Sequence, residues 1–374
     1  MNNQSSKYDC AIIGGGLAGL TLSIQLAQNG HQVILFEKNK YPFHKVCGEY
    51  ISLESWDFLN SLGLPMAELS LPIIKTIHVS APNGFIIHSP LDLGGFGISR
   101  FYLDNLLFKK AKELGVTVLD NTKVLDVKQH GELYVVSTND DSYQSKFVCG
   151  SFGKINPPFI AQQKVTEKGK YIGVKYHIKT DLPAHIIELH NFKDGYCGIS
   201  KVDNDTYCLC YLTTTKNLRL HQNDIKRLEE NVLYENPYLK KYFTESTFLY
   251  EKPLVISQIS FEKKHTYQHG IIMLGDSAGA IAPLCGNGMS IAMRSSKILA
   301  KQIDSFLNNN ISKDVLIQNY TDEWNRNFSS RIKIAYYLQH LFGKKTTTYW
   351  SLKLLNHSPK IFKRIISLTH GKKF

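Results

Sequence analysis

Residues 8–19 read YDCAIIGGGLAG. The run Tyr8–Ile13 is short and apolar, as a buried strand is, and a glycine turn over 14–19 follows it. Apolar residues then recur at helical spacing from Leu17 to Gln28, and Asn29-Gly30 supplies a helix stop. QVILF at 32–36 makes a second strand, and Glu37 ends it. This is a β-α-β unit whose turn fits G-x-G-x-x-G in the context that pattern needs. Gly14 permits the tight turn, Gly16 lets the backbone approach a pyrophosphate, and Gly19 lets the helix pack close to the strand. The free N–H groups at Leu17 and Ala18 open the helix toward the phosphates. Glu37, with Lys38 beside it, is placed to accept the hydroxyls of an adenosine ribose, and its charge repels a 2′-phosphate.

A second glycine-rich stretch lies far downstream, LGDSAGAIAPLCGNGMSIAM around residue 275. GIIML at 270–274 reads as a buried strand, and Gly275-Asp276 forms the turn at its C-terminal edge, where ligands bind in α/β sheets. A carboxylate there accepts hydrogen bonds from a polyol chain. Gly286, Asn287, Gly288 and Met289 then open a long helix, whose N-terminus stabilises negative charge such as a reduced isoalloxazine carries at N1 and O2. Nicotinamide has no ribityl chain and no such locus. Two turns, one for each end of a long cofactor, suit FAD.

Between them the pattern changes. Ser52 opens a helix through Leu62, Ile73–Ile87 alternates around a Pro82-Asn83-Gly84 turn, and Phe101–Leu114 is an amphipathic helix stopped by Gly115. Strands follow at 116–119, 123–128, 133–137 and 144–149, and Pro157-Pro158 marks a boundary. From about Lys170 to Thr215 the period is two, the mark of an antiparallel sheet. Tyr207 and Leu209 share one face there, and Cys208 and Cys210 the other. Residues 315–368 are mainly helical. The last α/β piece must return to the first sheet. The expected fold is therefore α/β: a discontinuous Rossmann-like FAD-binding domain (1–70, 98–155 and 260–310), an inserted antiparallel β-sheet substrate domain (71–97 and 156–259), and a helical C-terminal region (311–374) with a basic tail.

The 374 residues carry a formal charge of +12. No Asp or Glu follows Glu323, while Arg326, Arg331, Lys333, Lys344, Lys345, Lys353, Lys360, Lys363, Arg364, Lys372 and Lys373 do. The excess is local, which argues against a general nucleic-acid surface. Ile361, Phe362, Ile365, Ile366 and Leu368 make an apolar stripe on a terminal helix, opposite Lys360, Lys363 and Arg364. Two readings fit: a helix packed on the body with a solvated basic face, or peripheral membrane contact through 358–374. The seven cysteines form no CxxC pair, so neither a disulfide framework nor a metal site is indicated. The start MNNQSSKYDC has no signal-peptide pattern and no apolar run spans a bilayer, so a cytoplasmic location, with association at the inner face of the membrane as a variant, is expected.

The chain resembles the FAD-dependent family of aromatic-ring hydroxylases, flavin halogenases and geranylgeranyl reductases, with the p-hydroxybenzoate hydroxylase type of fold. The resemblance rests on GGGLAG with Glu37, KVCGEYIS at 45–52, SRFYLDNLL at 99–107 and GDSAGAIAPLCGNGMSIAM at 275–293, and runs to about residue 305. It implies that Lys45 and Cys47 lie beside the flavin, that Arg100 contacts FAD, that Asp276 binds its ribityl-phosphate region and that 286–289 flank the ring. Two departures stand out. CGSFGK at 149–154 lacks the family's Asp, and GYCGIS at 195–200 lacks the Trp and Pro of halogenases and prenyl reductases. Halogenation is thereby disfavoured. The expected activity is an FAD-dependent, NAD(P)H-reduced monooxygenase acting on a small aromatic or long-chain metabolite. The alternative is a double-bond reductase acting on a prenyl or other lipid. An RNA-directed flavoprotein is a weaker third reading. Catalytic residues stay open among His44, Cys47, Tyr196 and Cys285. Each of these is also readable as structural, the cysteines as small apolar filler.

Overall fold

The computed structural model describes residues 7–160, 171–259, 261 and 264–374. Residues 161–170, in the segment expected to belong to the substrate domain, lie outside that set, as do 1–6 at the start of the expected cofactor domain.

The first strand, β1 (Lys7–Ile13), is apolar and becomes fully buried toward its end. It lies in parallel between β2 (Val33–Phe36) and β9 (Ser142–Gly150). β6 (Thr117–Leu119) extends the sheet beyond β2, and a hairpin of β7 (Asp126–His130) and β8 (Leu133–Ser137) pairs with β9. On the far side of β9 lies β17 (Ile271–Met273), more than a hundred residues later, with Ile272 opposite Cys149 and Met273 opposite Gly150. The short β16 (Tyr267–Gln268) closes that edge. The expected return of the late strand is thus observed. Helices α1 (Leu17–Gln28), α3 (Arg100–Glu113) and α7 (Gly288–Leu307) pack together, and α8 (Lys313–Trp324) continues the layer. One apolar core joins this sheet to its helices.

The second sheet runs β14-β10-β13-β12-β11-β4-β5-β3, with β15 also on β10. Its strands are β3 (Tyr50–Ser52), β4 (Ile73–Ser80), β5 (Ile86–Gly97), β10 (Tyr171–Lys179), β11 (Ile186–Phe192), β12 (Gly195–Lys201), β13 (Tyr207–Thr214), β14 (Thr247–Phe248) and β15 (Leu254–Ile259). All pairings are antiparallel except β11 with β4. The outer face, with Ile199, Tyr207, Leu209 and Tyr211, packs on α5 (Ile225–Val232) and α6 (Pro237–Glu245), while α4 (Thr215–Leu220) follows β13. Cys208 and Cys210 therefore look the other way, toward the loop at 45–49, as alternation requires.

Between Ser52 and Leu62 the sequence reads as one helix, but the chain forms a 3-10 turn at Leu53–Ser55, capped by Ser52, and then α2 (Trp56–Ser61). The C-terminal helices are α9 (Ser330–Leu341), α10 (Lys345–His357) and α11 (Pro359–Thr369). The expected single stripe on α11 is split. Phe362 is buried and Ile366 packs on the second sheet, while Ile361 and Leu368 are exposed. Among the described residues no helix is long and apolar enough to cross a membrane.

Candidate functional site

Gly14 takes φ +109°, and a Cβ there would stand 2.4 Å from the Ser151 carbonyl oxygen. A Cβ on Gly19 would meet the Gly14 carbonyl at 2.1 Å. Only glycine fits this turn, and Ser151 Oγ ties it to the end of β9 by donating to the Gly14 carbonyl at 2.5 Å. The Glu37 carboxylate is buried and already organised. It accepts from the Gly15 N–H at 2.9 Å and from the Asn39 N–H and Nδ2 at 2.9 and 2.8 Å. Lys38 points outward and is exposed. Tyr41, stacked on Phe108, donates its hydroxyl to the Gly15 carbonyl.

Gly16 faces an opening bordered by two cations. A Cβ there would come no closer than 3.8 Å to Lys45 Nζ and 3.9 Å to Arg100 Nη2. Both cations share Asp104. Arg100 grips it with two bonds of 2.8 Å, and Lys45 lies at 3.1 Å. Burial pushes the Asp104 carboxyl up, but the Arg100 and Lys45 charges outweigh it and hold it below the usual range. One carboxylate between two cations leaves net positive charge at the N-terminus of α1, where Leu17 and Ala18 are buried.

At the second turn Gly275 is left-handed and donates its N–H to Ser295 Oγ at 3.1 Å. Asp276 pairs with Lys154 at 2.9 Å, so the stretch that lacks the expected Asp supplies a lysine instead. Beneath them Lys264 Nζ donates to the carbonyls of Gly153, Lys154 and Asp276 at 3.3, 2.8 and 3.1 Å. Burial pushes its ammonium down to about 8. Gly286 is left-handed against the Tyr50 ring, and Gly288 begins α7. Asn287, fully buried, donates to the Thr369 carbonyl at 2.8 Å. Met289 Sδ lies 3.6 Å from Cys47 Sγ, which brings the 45–49 loop against the start of α7.

Among the proposed catalytic residues, Tyr196 on β12 and Cys285 in the second turn lie near one another, where that turn meets the second sheet. Burial raises the Tyr196 phenol well above its ordinary value, with Cys210 and Cys285 as lesser contributors. Burial also pushes the Cys285 and Cys210 thiols up to about 12, so both are held as neutral thiols. His44 is elsewhere, stacked on Phe101 with ring centroids 4.6 Å apart and within 3.2 Å of the Tyr250 hydroxyl.

A network that sequence reasoning missed lies behind Cys47. Glu49 is fully buried with φ +55°. Its carboxylate pairs with Lys175 at 2.5 Å and His177 at 2.6 Å, and it accepts the Arg100 N–H at 2.7 Å. Burial raises the Glu49 carboxyl, but the His177 bond and the Lys175 charge bring it below normal. Burial lowers the Lys175 ammonium, and Cys208 and Glu49 more than offset this, to about 12. Glu49, His177 and Cys208 are close enough to suggest metal ligands, but the Lys175 ammonium already holds the carboxylate. The available signal was the pair Lys175 and His177, two apart on a strand and so on one face.

These residues fit a dinucleotide with a ring beyond it. The cradle at Gly14–Gly19 cannot take a side chain, two cations border its opening, and the hydroxyl of buried Tyr196 has no hydrogen-bond partner among the described residues. The groups that would hold FAD are the 14–19 turn, Glu37, Lys45, Arg100, the 275–276 turn and the start of α7.

The sequence matches the FAD binding domain family over residues 7–150 and the squalene epoxidase family over 198–342. It is 24% identical to digeranylgeranylglycerophospholipid reductase of Methanocaldococcus jannaschii, covering 92% of this chain and 88% of that protein. It is 23% identical to kynurenine 3-monooxygenase of Christiangramia forsetii, covering 81% and 74%. In fold it is similar to the flavin-dependent brominase Bmp2, with a TM-score of 0.80 at 18% identity over 97% of this chain and 93% of that one. The protein is an FAD-dependent oxidoreductase, with relatives among the geranylgeranyl reductases and kynurenine 3-monooxygenases and the fold of a flavin-dependent halogenase.

Proposed function

We propose that this enzyme is an NAD(P)H-reduced monooxygenase that inserts oxygen into a long-chain, largely apolar metabolite. The observation that carries this reading is the wall facing the proposed flavin site. Tyr171, Leu189, Tyr196, Leu212, Ile256 and Ile259 form one apolar cluster there, joined by Leu284 from the second turn. Its buried Tyr196 hydroxyl suits the one polar group of such a substrate. The match to the squalene epoxidase family over the C-terminal half supports an isoprenoid-like chain.

In this reading Gly14–Gly19 and the α1 N-terminus bind the pyrophosphate with Lys45 and Arg100, Glu37 holds the adenosine ribose, and Lys38 lies at its edge. Asp276 holds the ribityl chain. Cys47 and Gly286–Met289 flank the ring. FAD supplies the two-electron chemistry. The protein's own residues orient the substrate, exclude water and hold the α7 dipole toward the ring. Residues 1–70, 98–155 and 260–310 form the cofactor domain in this assignment, and 71–97 with 156–259 the substrate domain.

A second reading is reduction of a prenyl double bond, favoured by similarity to the archaeal lipid reductase along nearly the whole chain. Isotopic oxygen separates the two. With 18O2, NAD(P)H and an isoprenoid substrate, the first reading expects one labelled oxygen atom per product. A saturated, unlabelled product formed equally well without oxygen supports the reductase instead.

Long-chain substrates also suit a membrane-facing surface. Tyr337, Leu341, Trp350, Leu354, Ile361 and Leu368 are all exposed on the C-terminal helices, and Lys345, Lys353, Lys360 and Arg364 lie among them. We assign this face to peripheral contact with anionic lipid.

A further inference from the structure

The buried network behind Cys47 runs without a break toward solvent. Glu49 Oε2 lies 2.6 Å from His177 Nε2, His177 Nδ1 lies 2.8 Å from the Tyr250 hydroxyl, and that hydroxyl lies 3.2 Å from His44 Nε2. His44 and Tyr250 are half-buried, His177 is buried, and Glu49 is fully so. Glu49 and Lys175 neutralise each other, so a proton added to the His177 imidazole changes the net charge of the cluster. The groups around it are Glu49 and Cys47 on the loop, Lys175 on its own strand, Cys208 on β13, and Tyr250 and His44 on its outer side, where Asp203 adds negative charge. The Lys175 ammonium also donates to the Lys45 carbonyl at 3.3 Å, so the cluster is fastened to the loop itself.

We propose that His177 is a redox-linked proton acceptor: two-electron reduction of the flavin is accompanied by uptake of one proton at His177, delivered from solvent through His44 and Tyr250. The inference rests on the placement of the 45–49 loop beside the flavin. The physical reason is electrostatic. Two electrons from the nicotinamide hydride bring one proton with them, and the reduced ring retains negative charge. That charge favours a cation close by, in a site that water does not reach. His177 Nε2–H already donates to the Glu49 carboxylate, so the imidazole takes the proton at Nδ1, the nitrogen that faces Tyr250. It loses that proton on reoxidation, and the balance closes over a catalytic cycle. His177 is a positioning residue for charge in this scheme. His44 and Tyr250 form the route.

The test is an equilibrium redox titration of the FAD-loaded protein between pH 6 and 8, with a dye of known potential. The wild type is expected to show a steeper fall of potential with pH than His177→Gln, by one proton per two electrons. Tyr250→Phe is expected to keep the wild-type slope and slow proton uptake after rapid reduction. Equal slopes in wild type and His177→Gln overturn the inference. Should His177→Gln lose its flavin, the wild type decides alone: an imidazolium band in the reduced-minus-oxidised infrared difference spectrum supports the inference, and its absence overturns it. Failure of the loop assignment reads differently. In that case Lys45→Ala and Arg100→Ala leave FAD affinity unchanged.

Discussion

Lys154 Nζ lies 2.9 Å from Asp276 Oδ2, across the gap between the ends of β9 and β17. The carboxylate assigned to the ribityl chain thus has a built-in counter-charge from the stretch where the family usually carries an acid. Asp276 in turn raises the Lys154 ammonium, more than burial lowers it. Lys154→Ala removes the ammonium paired with the Asp276 carboxylate at the proposed ribityl site. A charge-assisted bond is worth roughly 1.5–3 kcal/mol, so FAD affinity should fall by about tenfold or more. Lys154→Arg should recover most of it. Flavin fluorescence quenching on titration of the apoprotein measures both.

Asp104 sets the charge at the first turn. With Arg100 and Lys45 both on one buried carboxylate, Asp104→Ala should destabilise the protein by about 3–5 kcal/mol, because two cations lose their partner. The pH dependence has a definite sign. Asp104 is depressed in the folded state, so its stabilisation is complete above the unfolded value of about 4. It is lost as pH falls through the folded value. Thermal melts of wild type and Asp104→Asn should differ widely at pH 7 and converge in acid.

Glu229 behaves in the opposite way. It is buried on the outer face of the second sheet, accepting from Tyr176 and Tyr211 hydroxyls at 3.0 and 2.8 Å, and burial pushes it up to about 7. Folded Glu229 keeps its proton where the unfolded chain has lost it. Stability therefore falls as pH rises from about 4.3, the unfolded value, to about 7. Glu229→Gln should remove that fall, raising stability at pH 8 by on the order of 1–3 kcal/mol with little change at pH 5. Urea midpoints at the two pH values measure it.

Trp350, Leu354 and Ile361 lie on the face assigned to lipid. The triple substitution to Ser should abolish co-sedimentation with vesicles containing anionic lipid and leave the melting temperature within a few degrees. Binding that survives the substitution, or that is equally strong to neutral vesicles, refutes the assignment. Point substitutions serve better than deletion, because Thr369 holds Asn287 at the head of α7.

The cofactor fold was legible because its signals are local. Gly14, Gly16, Gly19 and Glu37 lie within one β-α-β unit, and the late strand announced itself as apolar and turn-bounded. The Glu49 network was not legible. It depends on a contact between residues more than 120 apart, and it seats a lysine at zero exposure on β10, where the usual expectation is a solvated side chain. Lys154 was hidden for a similar reason: its partner, Asp276, lies in the turn after a strand contributed by a distant part of the chain. The stripe on α11 was read as one face because spacing shows which residues align, not how much of the face a neighbour covers.

The seat of β17 against Cys149 and Gly150 has a consequence for synthesis. When residue 150 leaves the ribosome, β8 already covers the start of β9, but the apolar end at Cys149 and Gly150 is bare, and its partner has not been translated. At ~5–20 residues per second the wait lasts about ten seconds. Through that interval an apolar strand edge is open to pairing with a neighbouring nascent chain. Expression yield should therefore respond to translation speed and chaperone supply over the second sheet, and a fragment ending near residue 150 should aggregate.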